Sequence, residues 1–358
     1  MCFRVPPSAS SLPCSQLLAN AGNWFLTSGI LNADGGVARY YRMDSGNLPI
    51  STEITGYAVS ALCWLHQITG EQKYLDGAER AAEFLMKEAW HPEYGLFSFE
   101  VAYPLPPAYF FDCGIIIRGL LALWRINKRQ ILLDVATACA YGMRQFRAED
   151  GNWHPIISFP HFKPLPHQKK WSREPGCFQL KAALAWAEVG ELTSDPVLKG
   201  WFDDAMQHAL ANESQFLPGS DDDEEVMNRL HAYGYFLEAL LKRPEHMQVL
   251  VNGIEKTSTL QDRIAPKFER SDVCAQLLRL RVLCGKVGAS GGAAVERLTG
   301  YQYVSDSKEV SGGFGFGKRE GAMMPMVNPV STAFAMQAIY MAQMYQNGGD
   351  VGELTDLI

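Results

Sequence analysis

Residues 51–85, STEITGYAVSALCWLHQITGEQKYLDGAERAAEFL, set two helices of opposite character next to each other. From Thr55 to Ile68 the stretch carries no charge other than that of His66, so its helix is apolar nearly all round and must be buried on most sides. The next helix, from Lys73 to Glu88, is amphipathic. Tyr74, Leu75, Ala78, Ala82, Leu85 and Met86 fall on one face, and Lys73, Asp76, Glu79, Arg80, Glu83 and Lys87 on the other. A buried helix followed by a half-wet one is a hairpin that needs neighbours on its apolar side.

The pattern recurs. CGIIIRGLLALWR (113–125) precedes a mixed stretch from Ile131 to Arg147, and GCFQLKAALAWAE (176–188) precedes VLKGWFDDAMQHALANE (197–213). RLHAYGYFLEALL (229–241) precedes Glu245 to Leu260, and DVCAQLLRLRVLC (272–284) precedes Gly292 to Leu298. VSTAFAMQAIYMAQMY (330–345) has no helical successor, and Leu12 to Ser28 has no predecessor. Pairing those two predicts an all-α closed ring of six helical hairpins. It would be a single domain over 1–358, with 1–11 as an irregular N-terminal tail and short β-hairpins in the loops. An open superhelical solenoid is the alternative. The uneven spacing of the buried helices and their strongly apolar character favour closure.

Composition narrows the function classes. Of 358 residues 47% are hydrophobic and 20% charged, which describes a globular chain with a large core. The net charge of −7 is spread along the sequence, with no basic stripe for a nucleic-acid backbone and no polybasic cluster for an anionic membrane. No apolar run reaches the roughly 20 residues of a membrane span. The eight cysteines show no CxxC spacing, so reduced, buried thiols and a cytoplasmic location are expected. No metal or other cofactor is expected either. The oligomeric state is not written in the sequence.

In a closed ring the inner helices run the same way, so residues just before each one share a mouth. Helix N-termini there offer free N–H groups and partial positive charge. The junctions are polar at all six places. They supply Glu53 and Tyr57; Asp112; Trp171, Arg173 and Glu174; His231 and Tyr235; Arg270 and Asp272; and Asn328. Carboxylates among Trp, Tyr and Arg suit a sugar, because aromatic faces stack on its apolar ring faces and carboxylates act as general acid and base. Asp112, with Glu174 or Glu53, is the candidate acid and base. Arg173, Arg270 and Lys318 are candidates to hold a substrate carboxylate, and Tyr57, Trp171 and Tyr235 to stack on rings. Helix capping competes with function at Glu53, Asp112, Ser271 and Asp272. Arg118 and Lys181, cations inside apolar helices, need carboxylate partners, for which Asp112 and Glu174 are the candidates.

Three tempting motifs lead elsewhere. GGFGFGK (312–318) has phosphate-loop spacing, but Arg319 stands where a magnesium-binding Ser or Thr belongs, and a glycine-rich lid is expected instead. DDDEE (221–225) looks like an aspartate-rich magnesium motif without a second one, and reads as a solvated run ahead of a helix. His154, His161 and His167 share one loop, but prolines separate them.

With STEITGYAVSALCWLHQITGEQKYLDGAERAAEFL and FFDCGIIIRGLLALWR as its clearest junctions, the chain resembles the six-hairpin glycosidase-like (α/α)6 toroids. That superfamily includes unsaturated glucuronyl hydrolases, other glycosidases and sugar epimerases. The resemblance implies a carbohydrate-active enzyme, first a glycoside hydrolase on an oligosaccharide that can include uronic acid. Asp112 of FFDCG looks like the catalytic aspartate that the glucuronyl hydrolases carry at an inner-helix N-terminus. Epimerases of the superfamily use histidines on inner-helix ends, where this chain offers His231. Epimerisation or elimination is therefore the second expectation, ahead of a non-catalytic glycan-binding toroid and of terpenoid chemistry.

Overall fold

The computed structural model describes residues 13–168, 170–241, 243–288, 291–352 and 356–358. The expected irregular tail at 1–11, and Leu12 as the start of the first helix, lie outside the described residues. The chain divides into two compact units. One comprises Asp34–Val37 and Ile50–Leu240, and the other the residues up to Ala33, Ala38–Pro49 and Leu241 onward.

In the first unit α2 (Thr52–Thr69), α4 (Phe110–Asn127), α6 (Leu180–Leu192) and α8 (Asp223–Leu240) are buried along most of their length. They alternate with the amphipathic α3 (Gln72–Phe84), α5 (Gln130–Gly142) and α7 (Pro196–Asn212). Helix α4 packs on both α2 and α6, and α6 packs on α8. Glycines set the spacing. A Cβ on Gly114 would stand 2.4 Å from the Ala182 carbonyl oxygen, and one on Gly119 would stand 2.6 Å from that of Gly56. Phe110 stacks on Trp153 and meets Trp186 edge-on, which fills the space beyond the α4–α6 contact.

The caps differ from expectation. Ser51, not Glu53, caps α2, accepting from the Ile54 N–H. Asp112 is the third residue of α4, whose N-cap position is Tyr109, and Asp272 lies in the first turn of α10 (Ser271–Leu283), behind Arg270. These carboxylates therefore act on the helix dipole from inside the first turn. The acidic run also enters its helix, because Asp223, Glu224 and Glu225 form the first turn of α8.

In the second unit α1 (Cys14–Thr27) packs on α12 (Pro329–Gln346), as the unpaired ends of the alternation predict. The Gln302 side chain supports α1 by donating to the Leu17 carbonyl at 2.9 Å. Helix α10 packs on α12, on α11 (Gly291–Thr299) and on α9 (Met247–Ile264). Arg279, fully buried, joins α10 to α12 through Gln337 at 2.9 Å and lies on the Phe334 ring at 4.0 Å. Among the described residues the strands are short and form antiparallel sheets of two or three strands in both units. The glycine-rich stretch is not a lid. Gly317–Arg319 forms a strand between Phe268–Arg270 and Ala322–Met323, and a Cβ on Gly317 would lie 2.2 Å from the Glu269 carbonyl oxygen.

Candidate functional site

An aromatic cluster joins several predicted site residues in the Ile50–Leu240 unit. Trp171, in a short 3-10 turn ahead of α6, stands edge-on to His231 at 6.2 Å and to Phe178 at 5.1 Å. His231 meets Tyr235, one turn later on α8, at 4.6 Å. Phe111 reaches both Tyr235, at 4.8 Å, and Phe178, at 5.9 Å. Asp112 follows Phe111 on α4 and is 4% exposed. Tyr57, on α2, is buried, and burial pushes its phenol well above the ordinary range, with Tyr235 and Glu53 adding to the rise. Thus α2, α4, the turn before α6, and α8 bring Tyr57, Phe111, Trp171, His231 and Tyr235 into one neighbourhood.

Other candidates are occupied within the protein. Glu174 pairs with Arg229 at 3.4 Å. Arg173 donates to the Gln168 side chain at 2.7 Å. Neither cation in the apolar helices turns to Glu174. Arg118 pairs with Glu188 at 2.7 Å, and Lys181 with Glu238 at 2.9 Å. Glu53 is half-buried in the first turn of α2.

In the second unit Arg270 forks onto Asp272, at 3.0 Å through Nε and 2.6 Å through Nη2, the bidentate geometry an arginine would otherwise offer a substrate carboxylate. Lys318 places its ammonium over the Tyr301 ring at 4.5 Å. Asn328 caps α12, accepting from the N–H groups of Val330 and Ser331. Sequence reasoning missed Glu269, a buried carboxylate bound by Tyr301 and Arg297. Its sign was a charge between Phe268 and Arg270 in a stretch that is buried throughout. Among the described residues, no group of three or more His, Cys, Asp and Glu side chains converges as a metal ion would require.

No family model matches the sequence, and no curated protein is similar to it. Solved structures are. A cellobiose 2-epimerase from Spirochaeta thermophila superposes with a TM-score of 0.66 at 11% identity, covering 94% of this chain and 99% of that one. A sugar epimerase from a ruminal bacterium gives 0.65 at 10%, covering 94% and 98%. An unsaturated glucuronyl hydrolase from a Bacillus species gives 0.59 at 13%, covering 91% and 96%. The fold is the (α/α)6 toroid. Within their units α2, α4, α6, α8, α10 and α12 are the more deeply buried helices, and among the described residues they alternate along the chain with the other six α-helices. Among the described residues no helix is long and apolar enough to cross a membrane.

Proposed function

We propose that this toroid is a carbohydrate-active enzyme whose chemistry takes place at the aromatic cluster of α2, α4 and α8. The observation that carries the reading is the placing of Asp112 directly beside Phe111, which joins Tyr235, His231 and Trp171 through ring contacts. A buried carboxyl next to aromatic rings is the setting of a general acid, and half-buried Trp171 offers a surface for a sugar's apolar face. Hydrolysis of an oligosaccharide, with Asp112 protonating the leaving oxygen and Glu53 as its partner carboxylate, is the first reading.

A second reading rests on His231. Its ring, 5% exposed, lies between Trp171 and Tyr235, and an imidazole there can remove and return a proton beside a sugar carbonyl. Epimerisation, the activity named for two of the similar structures, uses that kind of transfer. One experiment separates the two. The protein is incubated in D2O with neutral disaccharides, mannose, and saturated and unsaturated uronides, and the products are followed by NMR. Hydrolysis of the saturated sugars releases new reducing ends without carbon-bound deuterium, and that of an unsaturated uronide places deuterium only at the former double bond, whereas epimerisation places it on the carbon next to the carbonyl. A panel that returns every sugar unchanged would leave neither activity standing.

A further inference from the structure

The half-buried rings of Phe99 and Tyr109 stack at 4.6 Å, and their backbones tie them to the two buried helices that carry the proposed carboxylates. Thr52, the first residue of α2, donates its N–H to the Phe99 carbonyl at 3.4 Å and its hydroxyl to the Ser98 carbonyl at 2.8 Å. Tyr109 holds the N-cap position of α4 and pairs with Ile156 in a short antiparallel strand. The stack therefore bridges the starts of α2 and α4, with Glu53 one residue beyond Thr52 and Asp112 three beyond Tyr109.

Between the two stacked rings the chain projects as a loop. Its base is closed by the Phe99 N–H, which donates to the Pro107 carbonyl at 2.9 Å. Within the loop Val101 is 45% exposed, Leu105 38% and Tyr103 98%. Other large apolar side chains exposed among the described residues reach at most 50%, so Tyr103 stands apart. Pro104, Pro106 and Pro107 fix φ at three positions, and the loop loses correspondingly little freedom when a ligand settles on it. Apolar surface concentrated in this way adds nothing to the core and serves binding.

Place and charge indicate the ligand. The loop rises from the edge of the candidate site, so what lies nearest to it is the substrate. From Glu93 to Ile117 the sequence has three carboxylates, Glu93, Glu100 and Asp112, and no Lys, Arg or His. An anionic sugar meets repulsion along this stretch, whereas a neutral pyranose offers an apolar face to a tyrosine ring.

We propose that the 100–107 loop is an outer subsite for a neutral sugar, with Tyr103 stacking on a ring of the oligosaccharide beyond the units held at the cluster. This subsite presupposes the proposed function and narrows its substrate to a neutral chain longer than a disaccharide.

Isothermal titration calorimetry of the whole protein with di- and tetrasaccharides is the test. The probes are α-1,4- and β-1,4-linked glucose, α-1,6- and β-1,4-linked mannose, and α-1,4-linked galacturonate. At least one neutral tetrasaccharide should bind roughly tenfold or more tighter than its disaccharide, and the galacturonate tetramer should show no such gain. Tyr103→Ala should remove most of the gain, and Tyr103→Phe, which keeps the ring, should retain it. Tyr103 lies outside the core, so both variants should fold like the parent. No gain with any neutral chain, an equal gain with galacturonate, or a gain undiminished in Tyr103→Ala would each overturn the proposal. So would a dimer that Tyr103→Ala turns into monomers, since the loop would then join two copies of the chain. The chemistry is judged separately from its products in D2O. Tetrasaccharides that bind through Tyr103 but stay unchanged would keep the subsite and remove the reaction, and turnover without a length effect would do the reverse.

Discussion

Arg118 donates its Nε–H to Glu188 Oε1 at 2.7 Å across the α4–α6 contact, and both side chains are buried. Arg125 takes the other oxygen at 2.8 Å. Burial alone would raise the Glu188 carboxyl, but the two guanidiniums outweigh it and hold the group below its ordinary 4.5. A depressed carboxyl stabilises the fold above its unfolded pKa, and that contribution is lost as pH falls through the folded value. Unfolding by urea should therefore become easier below about pH 4.5 in the native protein, and less steeply so in Glu188→Gln. Parallel curves for the two proteins would show that Glu188 is not the group responsible. Glu188→Ala should cost about 3–5 kcal/mol at neutral pH, since it strands buried cations.

Lys181 and Glu238 form a pair whose side chains are fully buried. Lys181→Met should cost about 3–5 kcal/mol by leaving a charge without its partner, and Glu238→Leu likewise. The double variant should regain most of that loss, because apolar groups of similar volume replace a costly desolvated pair. Chemical denaturation of all four proteins measures the coupling, and additive losses would contradict the account.

Asp112→Asn keeps the size of the side chain but cannot deliver a proton. A change in what the first turn of α4 presents to the helix dipole is worth at most about 1 kcal/mol, so melting should change little. Turnover on whichever sugar proves active should fall on the order of a hundredfold. A variant that melts early but keeps its activity per folded molecule would make Asp112 a structural residue.

Gly114→Ala tests the helix spacing. Alanine favours a helix interior over glycine by about 1 kcal/mol. Here the added methyl meets the Ala182 backbone at 2.4 Å, and overpacking costs about 1–3 kcal/mol. The variant should be less stable than the parent. A higher melting temperature would mean that α4 and α6 can separate without loss.

The toroid was legible in the sequence because burial on all sides leaves a helix no polar face. The stretch from Thr55 to Ile68 can satisfy that only among other helices. Ion-pair partners were not legible. Arg118 finds Glu188, seventy positions along the chain, through the rotation of α6 against α4, and periodicity does not set the rotation of one helix on another. The caps misled for a similar reason. Asp112 and Ser51 are both plausible cap residues by type, but only backbone geometry puts one at the boundary and the other inside the first turn. At the candidate site the polar junction residues were visible, whereas the ring contacts of Phe111 and Phe178 that tie them together depend on packing.

The two compact units differ in how the chain supplies them. All but four residues of one come from the continuous run Ile50–Leu240, whereas the other joins α1 to segments from Leu241 onward. During synthesis the continuous unit can condense as it leaves the ribosome, since domains fold as units in the order they emerge. Helix α1 is made before the whole Ile50–Leu240 run, yet its partner α12 is made only after it. Until then the apolar face carrying Leu17, Leu18, Trp24 and Phe25 has no α12 to cover it. That interval makes the nascent chain, more than the finished protein, the form most in need of a chaperone.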